Sequence, residues 1–203
     1  MIKTTNMMLE DLANYANPKT KLARNVKNGD CFQIVKGLYE TDKNVPGFLL
    51  AASIYGPSYI SFEYALSYYG LIPEMVYEVT SATFKKNKTK RYITDFGSFY
   101  YRDIPSSAFP YFVFLNKEGD YYYRIASKEK ALCDLLYTMP PADNVKELEE
   151  LLFNDLRIDK EELNYFDLNS VEFLIDKYNS RNIKKFSTLL RRVLKWMWQL
   201  KRC

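Results

Sequence analysis

Hydrophobic and polar positions alternate between helical and strand-like spacing along the chain, and the alternation divides it into three stretches: helices with a short ribbon, helices with a longer run of strands, and helices alone. In the first, Leu9, Leu12, Ala13 and Ala16 fall on one face of a helix predicted over residues 7–16. Asn6 is its expected cap, and Glu10 and Asp11 lie near its positive end. Pro18 breaks the chain. Leu22, Ala23 and Val26 make the apolar face of a second helix over residues 19–27, which Asn28-Gly29 stops. Residues 31–40 are rich in β-formers, with Lys36-Gly37 where a tight bend fits.

The second stretch opens with a short helix over residues 48–54, ended by Gly56-Pro57. Ser61 is placed to cap another helix, which ends at Gly70, with Tyr64, Ala65, Leu66 and Tyr68 turned mostly inward. Strand signals then cluster at residues 76–80, 90–94, 99–103 and 111–115. The segment from Asn116 to Asp120 makes a hairpin turn into a further strand over residues 121–126. After Ser127, a cap, helical spacing returns. It runs through Lys130, Ala131, Leu132, Leu135 and Leu136 to Pro140-Pro141, then over residues 145–154, 170–178 and 183–200. In the last helix Phe186, Leu189, Leu190, Val193, Met197 and Leu200 share a core-facing stripe, while Trp196 and Trp198 lie on different faces. The predicted fold class is α+β: an N-terminal helical pair plus ribbon, a central mostly antiparallel sheet, and a helical C-terminal third. No internal repeat or low-complexity tract interrupts it.

Composition narrows the chemistry. Hydrophobic residues make up 47% of the 203 positions, enough for a real core rather than a disordered chain. Tyr outnumbers Phe, 18 to 13, which suits many half-buried positions with an apolar body and a polar tip. Only seven Gly are present, and neither GxGxxG nor GxxxxGK[ST] occurs, so a glycine-rich phosphate loop is not expected. The absence of His removes Ser–His and Cys–His nucleophilic pairs and the commonest general base near neutral pH. Cys31, Cys133 and Cys203 are too few and too widely spaced for a disulfide framework or a zinc site, and free thiols fit a reducing cytosol. No cofactor and no metal site is expected. No apolar run approaches a membrane span, and the N-terminus lacks the apolar core of a signal peptide, so a soluble, cytoplasmic protein is expected.

The net charge of +4 alone says little, but its distribution is polar. Acids dominate residues 143–176. From Arg181 onward there is no acid, and Lys184, Lys185, Arg191, Arg192 and Lys195 are all basic. Opposite poles can steer a charged partner, or two helices can simply present complementary faces to each other. At the other end, Lys19, Lys21, Arg24 and Lys27 decorate the second helix, and Lys36 stands at the ribbon bend. Helix, turn, basic helix and short ribbon is the order of a winged helix, in which the basic helix enters the major groove and the ribbon touches backbone or minor groove. A helical pair on a hairpin is also a common way to cap a larger domain. A further basic run, Lys85, Lys86, Lys88, Lys90 and Arg91, surrounds a loop, where solvation or phosphate contact would explain it.

Three segments together carry a resemblance. They are Lys36-Gly37-Leu38-Tyr39; then Tyr59-Ile60-Ser61 leading to Ala65-Leu66-Ser67-Tyr68-Tyr69-Gly70-Leu71 and Pro73; and Ile125-Ala126-Ser127 followed by Glu129-Lys130-Ala131-Leu132-Cys133-Asp134-Leu135-Leu136. In order and spacing the chain resembles AbiEi-type antitoxins of bacterial type IV toxin–antitoxin, or abortive infection, systems, from about Leu9 to Pro141. The resemblance implies a winged-helix-like module over residues 1–44 that binds promoter DNA and represses its operon. It implies a mixed α/β antitoxin domain over residues 45–203, and a non-catalytic role against a cognate nucleotidyltransferase toxin, without need of a stable complex. DNA contacts would fall to Lys19, Lys21, Arg24, Lys27 and Lys36. The stretch before Pro18 is short, so the first helix of such a module is reduced or missing. On charge, Lys184, Lys185, Arg191 and Arg192 are the candidate antitoxin surface.

Two other function classes stay open: a stand-alone winged-helix transcriptional regulator, and a metal-dependent nuclease. The second would need Asp95, Asp103, Glu118 and Lys130 to converge. The bland alternative for the acids is structural: Glu129 favours a helix N-terminus, and Asp134 pairs with a neighbour.

Overall fold

The computed structural model describes the backbone of residues 1–200 and the side-chain surroundings of residues 1–195. The expectations for Trp196, Met197, Trp198 and Leu200 therefore lie outside the described side chains. Within those bounds the chain is α+β.

The N-terminal part contains β1 (Lys3–Thr4), α1 (Thr5–Asp11), α2 (Pro18–Asn28), β2 (Phe32–Val35) and β3 (Leu38–Glu40). Its three strands form an antiparallel sheet in the order β1-β3-β2. The strand β1 has no counterpart in the hydrophobic pattern, because two residues are too few to show alternation. Pairing of Lys3 with Tyr39 and Thr4 with Leu38 holds the chain extended up to Thr4. Thr4, not Asn6, is therefore the cap of α1, accepting a hydrogen bond from the backbone N–H of Met7. The helix also ends earlier than residue 16. The N–H groups of Leu12 and Ala13 bond three residues back, to Leu9 and Glu10, which tightens and terminates it. Leu12 then meets Met8, Leu22 and Cys31 in a small separate core. Asn17 caps α2 through Thr20, with Pro18 at its first position, and Gly29 ends it at φ +80°.

The larger body is built on a six-stranded sheet of β4 (Tyr59–Ile60), β5 (Val79–Thr83), β6 (Lys90–Thr94), β7 (Gly97–Asp103), β8 (Val113–Glu118) and β9 (Tyr121–Ala126). The order is β6-β7-β5-β4-β9-β8. Antiparallel pairs hold β6–β7, β4–β5 and β8–β9, and parallel pairs hold β5–β7 and β4–β9, so the sheet is mixed with an antiparallel majority. The strand expected at residues 76–80 lies three residues later. Ser67 anchors the preceding segment by donating to the carbonyl of Glu74 and accepting from the N–H of Val76, and Tyr77 is exposed. All five residues of β5 are buried.

The helices of the body are α3 (Ala51–Ile54), α4 (Phe62–Tyr68), α5 (Lys128–Thr138), α6 (Val145–Glu150), α7 (Leu168–Tyr178) and α8 (Arg181–Leu200). A wider turn over Leu151–Asp155 continues α6. Helix α5 runs through the middle of the core, against α4, α7 and α8. Every residue from Glu129 to Leu136 is buried. Tyr68, expected to turn inward, is exposed instead and shares a hydroxyl contact of 3.3 Å with Tyr123. Among the described residues no helix is long and apolar enough to cross a membrane.

Candidate nucleic-acid interface

Helix α2 buries Leu22 and half-buries Val26, which turns Thr20, Ala23, Arg24 and Lys27 to solvent on the opposite side. Lys19 is exposed at one flank of that face. Lys21, at the other, is half-buried, its ammonium 5.3 Å above the exposed Tyr15 ring. The eleven-residue helix is about 16 Å long and carries no acid. Lys36 lies apart from it, exposed at the two-residue bend between β2 and β3, where Gly37 adopts φ +89°. Among the described residues none of these five cations is in an ion pair.

Lys19 and Lys21 sit where a helix tolerates cations least. The positive end of the helix dipole disfavours each by roughly 0.3–1 kcal/mol at low ionic strength. By contrast α5 and α6 place Glu129 and Glu147 in their first turns, and α7 starts from Asp167. Local helix stability therefore does not account for the charge on α2.

The other predicted cationic surface, on α8, is less uniform. Lys184 and Arg192 are exposed on one side of the helix with Arg181, Thr188 and Lys195. Lys185 instead donates to the carbonyl of Ala142 at 2.7 Å, and Arg191 pairs with Glu172 on α7. Arg192 borders a groove shared with Glu149 and Glu161. The acidic and basic segments thus meet each other in part, as complementary helix faces. The lysine-rich loop is likewise partly engaged: Lys86 donates to the carbonyl of Gly56 at 3.1 Å, and Arg91 pairs with Glu78 at 2.6 Å.

The acids considered for metal chemistry are not brought together. Asp95 and Asp103 flank opposite ends of β7, about 20 Å of strand apart, and Glu118 ends β8. Asp103 accepts from Thr83 and from the backbone of Lys86 and Asn87, each at 2.6 Å, which ties the loop after β5. Among the described residues no group of three or more potential metal ligands occurs.

Lys130 belongs to a different cluster, which brings two of the resemblance segments into contact. Its ammonium lies 2.8 Å from Asp134 Oδ1, and Tyr178 from the end of α7 contacts both groups. On the other carboxylate oxygen, Asp134 accepts from Tyr59 at 3.0 Å and from Ser61 at 2.5 Å. Lys130 and Asp134 are fully buried. Burial pushes the Lys130 ammonium below its ordinary value, opposed by the Asp134 charge. Burial, followed by the Asp134 charge, pushes the Tyr59 and Tyr178 phenols well up. Burial also raises the neighbouring Cys133 thiol, which leaves it protonated and inert at neutral pH. The centre joins β4, α4, α5 and α7, and its members satisfy one another, which is the pattern of a structural ion pair. The pairing of Lys130 with Asp134 was legible as an i,i+4 spacing. Tyr59 and Tyr178 left no signal, since nothing in their surroundings along the chain marks a polar contact.

Comparison of the chain with protein-family models and with curated proteins finds no match.

Proposed function

We propose that the chain is a non-catalytic, cytoplasmic regulator that binds promoter DNA through its N-terminal part and acts as the antitoxin of a type IV pair. The carrying observation is the cationic, unpaired face of α2, with lysines at the helix end that least favours them. Topology adds to it. The succession β1–α1–α2–β2–β3 with strand order β1-β3-β2 is compatible with the strand–helix–helix–strand–strand part of a winged helix. In this reading α2 lies in the major groove, with Arg24 and Lys27 facing the DNA, Lys19 and Lys21 on phosphates, and Lys36 touching the backbone from the ribbon tip. The antitoxin role rests on the resemblance in Tyr59-Ile60-Ser61 and Glu129–Leu136, and the toxin it would counter is a nucleotidyltransferase.

The test has two arms. In the first, binding to the fragment upstream of the gene is measured across a salt series. Lys21→Ala and Arg24→Ala should each weaken it and lower the log–log salt slope by up to ~1 for each phosphate left without its cation. Unchanged affinity in both variants removes α2 from consideration. In the second, the full chain carrying both substitutions is expressed with the cognate toxin. It should rescue growth while failing to repress. Charge reversal at Lys184 and Arg192, which leaves the Lys185 and Arg191 contacts intact, should weaken rescue if α8 is the antitoxin surface. Repression without any rescue would leave a stand-alone regulator.

A further inference from the structure

Strand β8 ends the six-stranded sheet, with β9 on its inner side and no strand on the other. Its hydrogen bonds fix which groups stay free. Phe112 accepts from the N–H of Ser127 at 2.8 Å, and at the other end the two-residue turn Gly119-Asp120 joins Glu118 to Tyr121. Bonded positions alternate along an antiparallel strand. Phe112, Phe114, Asn116 and Glu118 therefore face β9, and Val113, Leu115 and Lys117 turn their N–H and C=O groups outward. Among the described residues no other backbone group bonds to those three.

Edge strands are normally blunted by proline, a bulge, short length or charge, because free backbone groups pair with other chains. Strand β8 is six residues long, regular in register and free of proline. Its two charges, Lys117 and Glu118, are opposite in sign and lie together at one end. Toward the other end, Phe114 and Leu115 are 54% and 62% exposed. As neighbours in a strand they point to opposite faces of the sheet. A ligand or helix laid on one face would cover one of them, whereas a strand added along the edge flanks both.

We propose that two copies of the chain pair antiparallel through β8, with Leu115 opposite its counterpart on a two-fold axis. This register uses every free group. Val113 faces Lys117 of the other copy, Leu115 faces Leu115, and Lys117 faces Val113, with two hydrogen bonds to each pair. A shift of two residues either way loses a pair, and in one direction it sets Glu118 against Phe114. On one face the two Leu115 side chains meet directly. On the other the Phe114 rings are diagonal neighbours at about 7–8 Å, within reach of each other. The two Lys117 residues stand about 13 Å apart along the strands, beyond the screening length of about 8 Å at physiological salt. The opposite edge strand, β6, has no such match, since it holds Lys90 and Arg91 and no acid. A six-residue contact is small beside the about 1,200–2,000 Å² of stable interfaces, so the dimer forms in the micromolar range rather than the nanomolar.

The full chain is followed by sedimentation equilibrium over a concentration series up to about 1 mM. A reversible monomer–dimer equilibrium is expected. Leu115→Lys, an exposed change that sets like charges opposite each other on the axis, should raise the dissociation constant about ten-fold or more with the circular dichroism spectrum unchanged. Ile93→Lys, on the other edge, should leave the dimer intact. Mild oxidation of cysteine variants, with mass spectrometry of the linked peptides, reads the register. Leu115→Cys should link two copies at position 115, because the Cα atoms of a bonded pair stand about 5.5 Å apart. Lys117→Cys, with its counterpart about 13 Å away, should not link at 117. A chain that stays monomeric throughout overturns the pairing, and so does a dimer that Leu115→Lys leaves undiminished. Linkage at 117 and not at 115 overturns the two-fold at Leu115.

Discussion

Asp134 shows how one residue can hold a fold together at some risk. Its carboxylate is fully buried and engages Lys130, Tyr178, Tyr59 and Ser61. Replacing it by Leu should destabilise the chain by about 3–5 kcal/mol, because the Lys130 charge is left buried without a counter-ion. The pair Lys130→Met with Asp134→Leu should lose less than Asp134→Leu alone, measured by urea unfolding. A pair as unstable as the single variant would show that hydroxyl contacts, not charge, dominate the centre. Glu40 is a second buried carboxylate, and it titrates in the opposite sense to burial. Burial raises its pKa, but hydrogen bonds from the N-terminal ammonium, the backbone of Asp42 and Thr41, and the Tyr121 hydroxyl outweigh it, so the net shift is below the ordinary 4.5. A carboxylate depressed by folding stabilises fully above its unfolded pKa and loses that contribution as pH falls through the folded value. The stability gap between the wild type and Glu40→Gln should therefore be open at pH 7 and narrow only as pH falls below the ordinary carboxylate range. A gap that stays constant across that range would mean Glu40 acts only through shape.

At the scale of elements, caps came from where the chain alone does not show them. Ser61 precedes α4 as its sequence position suggests, yet its hydroxyl is committed to Asp134 and makes no cap bond. Thr80 on β5 takes over: it accepts from the N–H of Tyr64 at 3.0 Å and donates to the Ser61 carbonyl at 2.6 Å. Thr80→Val keeps the shape and removes both bonds, and should cost about 1–2 kcal/mol in thermal or chemical unfolding. An unchanged midpoint would return the capping role to another group. Helix α7 behaved as a local reading would have it, since Asp167 bonds the N–H groups of Asn169 and Ser170 within its own first turn. The difference between α4 and α7 is whether the capping side chain has a stronger distant partner.

At the scale of the whole molecule, the N-terminal part is less separate than a boundary at residue 45 implies. Met8, Leu12, Leu22 and Cys31 form their own small core, but Ile34 belongs to the main core, with Ile2, Val35 and Leu38 packed against it. Tyr121 on β9 donates to Glu40 at 2.9 Å across the same junction. A fragment starting at Val45 should therefore unfold at a lower urea concentration than the full chain. Uncovering the Ile34 site alone corresponds to roughly 1.5–3 kcal/mol. Equal midpoints would mean the body is indifferent to the ribbon.

Local patterning by itself determined the class of fold, the places of most helices, the β6, β7 and β9 strands, the two-residue bend at Lys36-Gly37, and the cationic character of α2. Each of these depends on neighbours within a few residues, where apolar spacing, proline, glycine and charge act directly on the backbone. The tertiary structure alone decided the rest. It set the mixed strand order, the two-residue strands β1 and β4, the shift of β5, and the division of α8's cations between Ala142, Glu172 and solvent. It also joined Tyr59, Ser61 and Tyr178 to Asp134 across separations of 75, 73 and 44 residues. The physical reason is common to all of them: a strand two residues long, or a hydroxyl among apolar neighbours, acquires its role only from the partner that folding places against it.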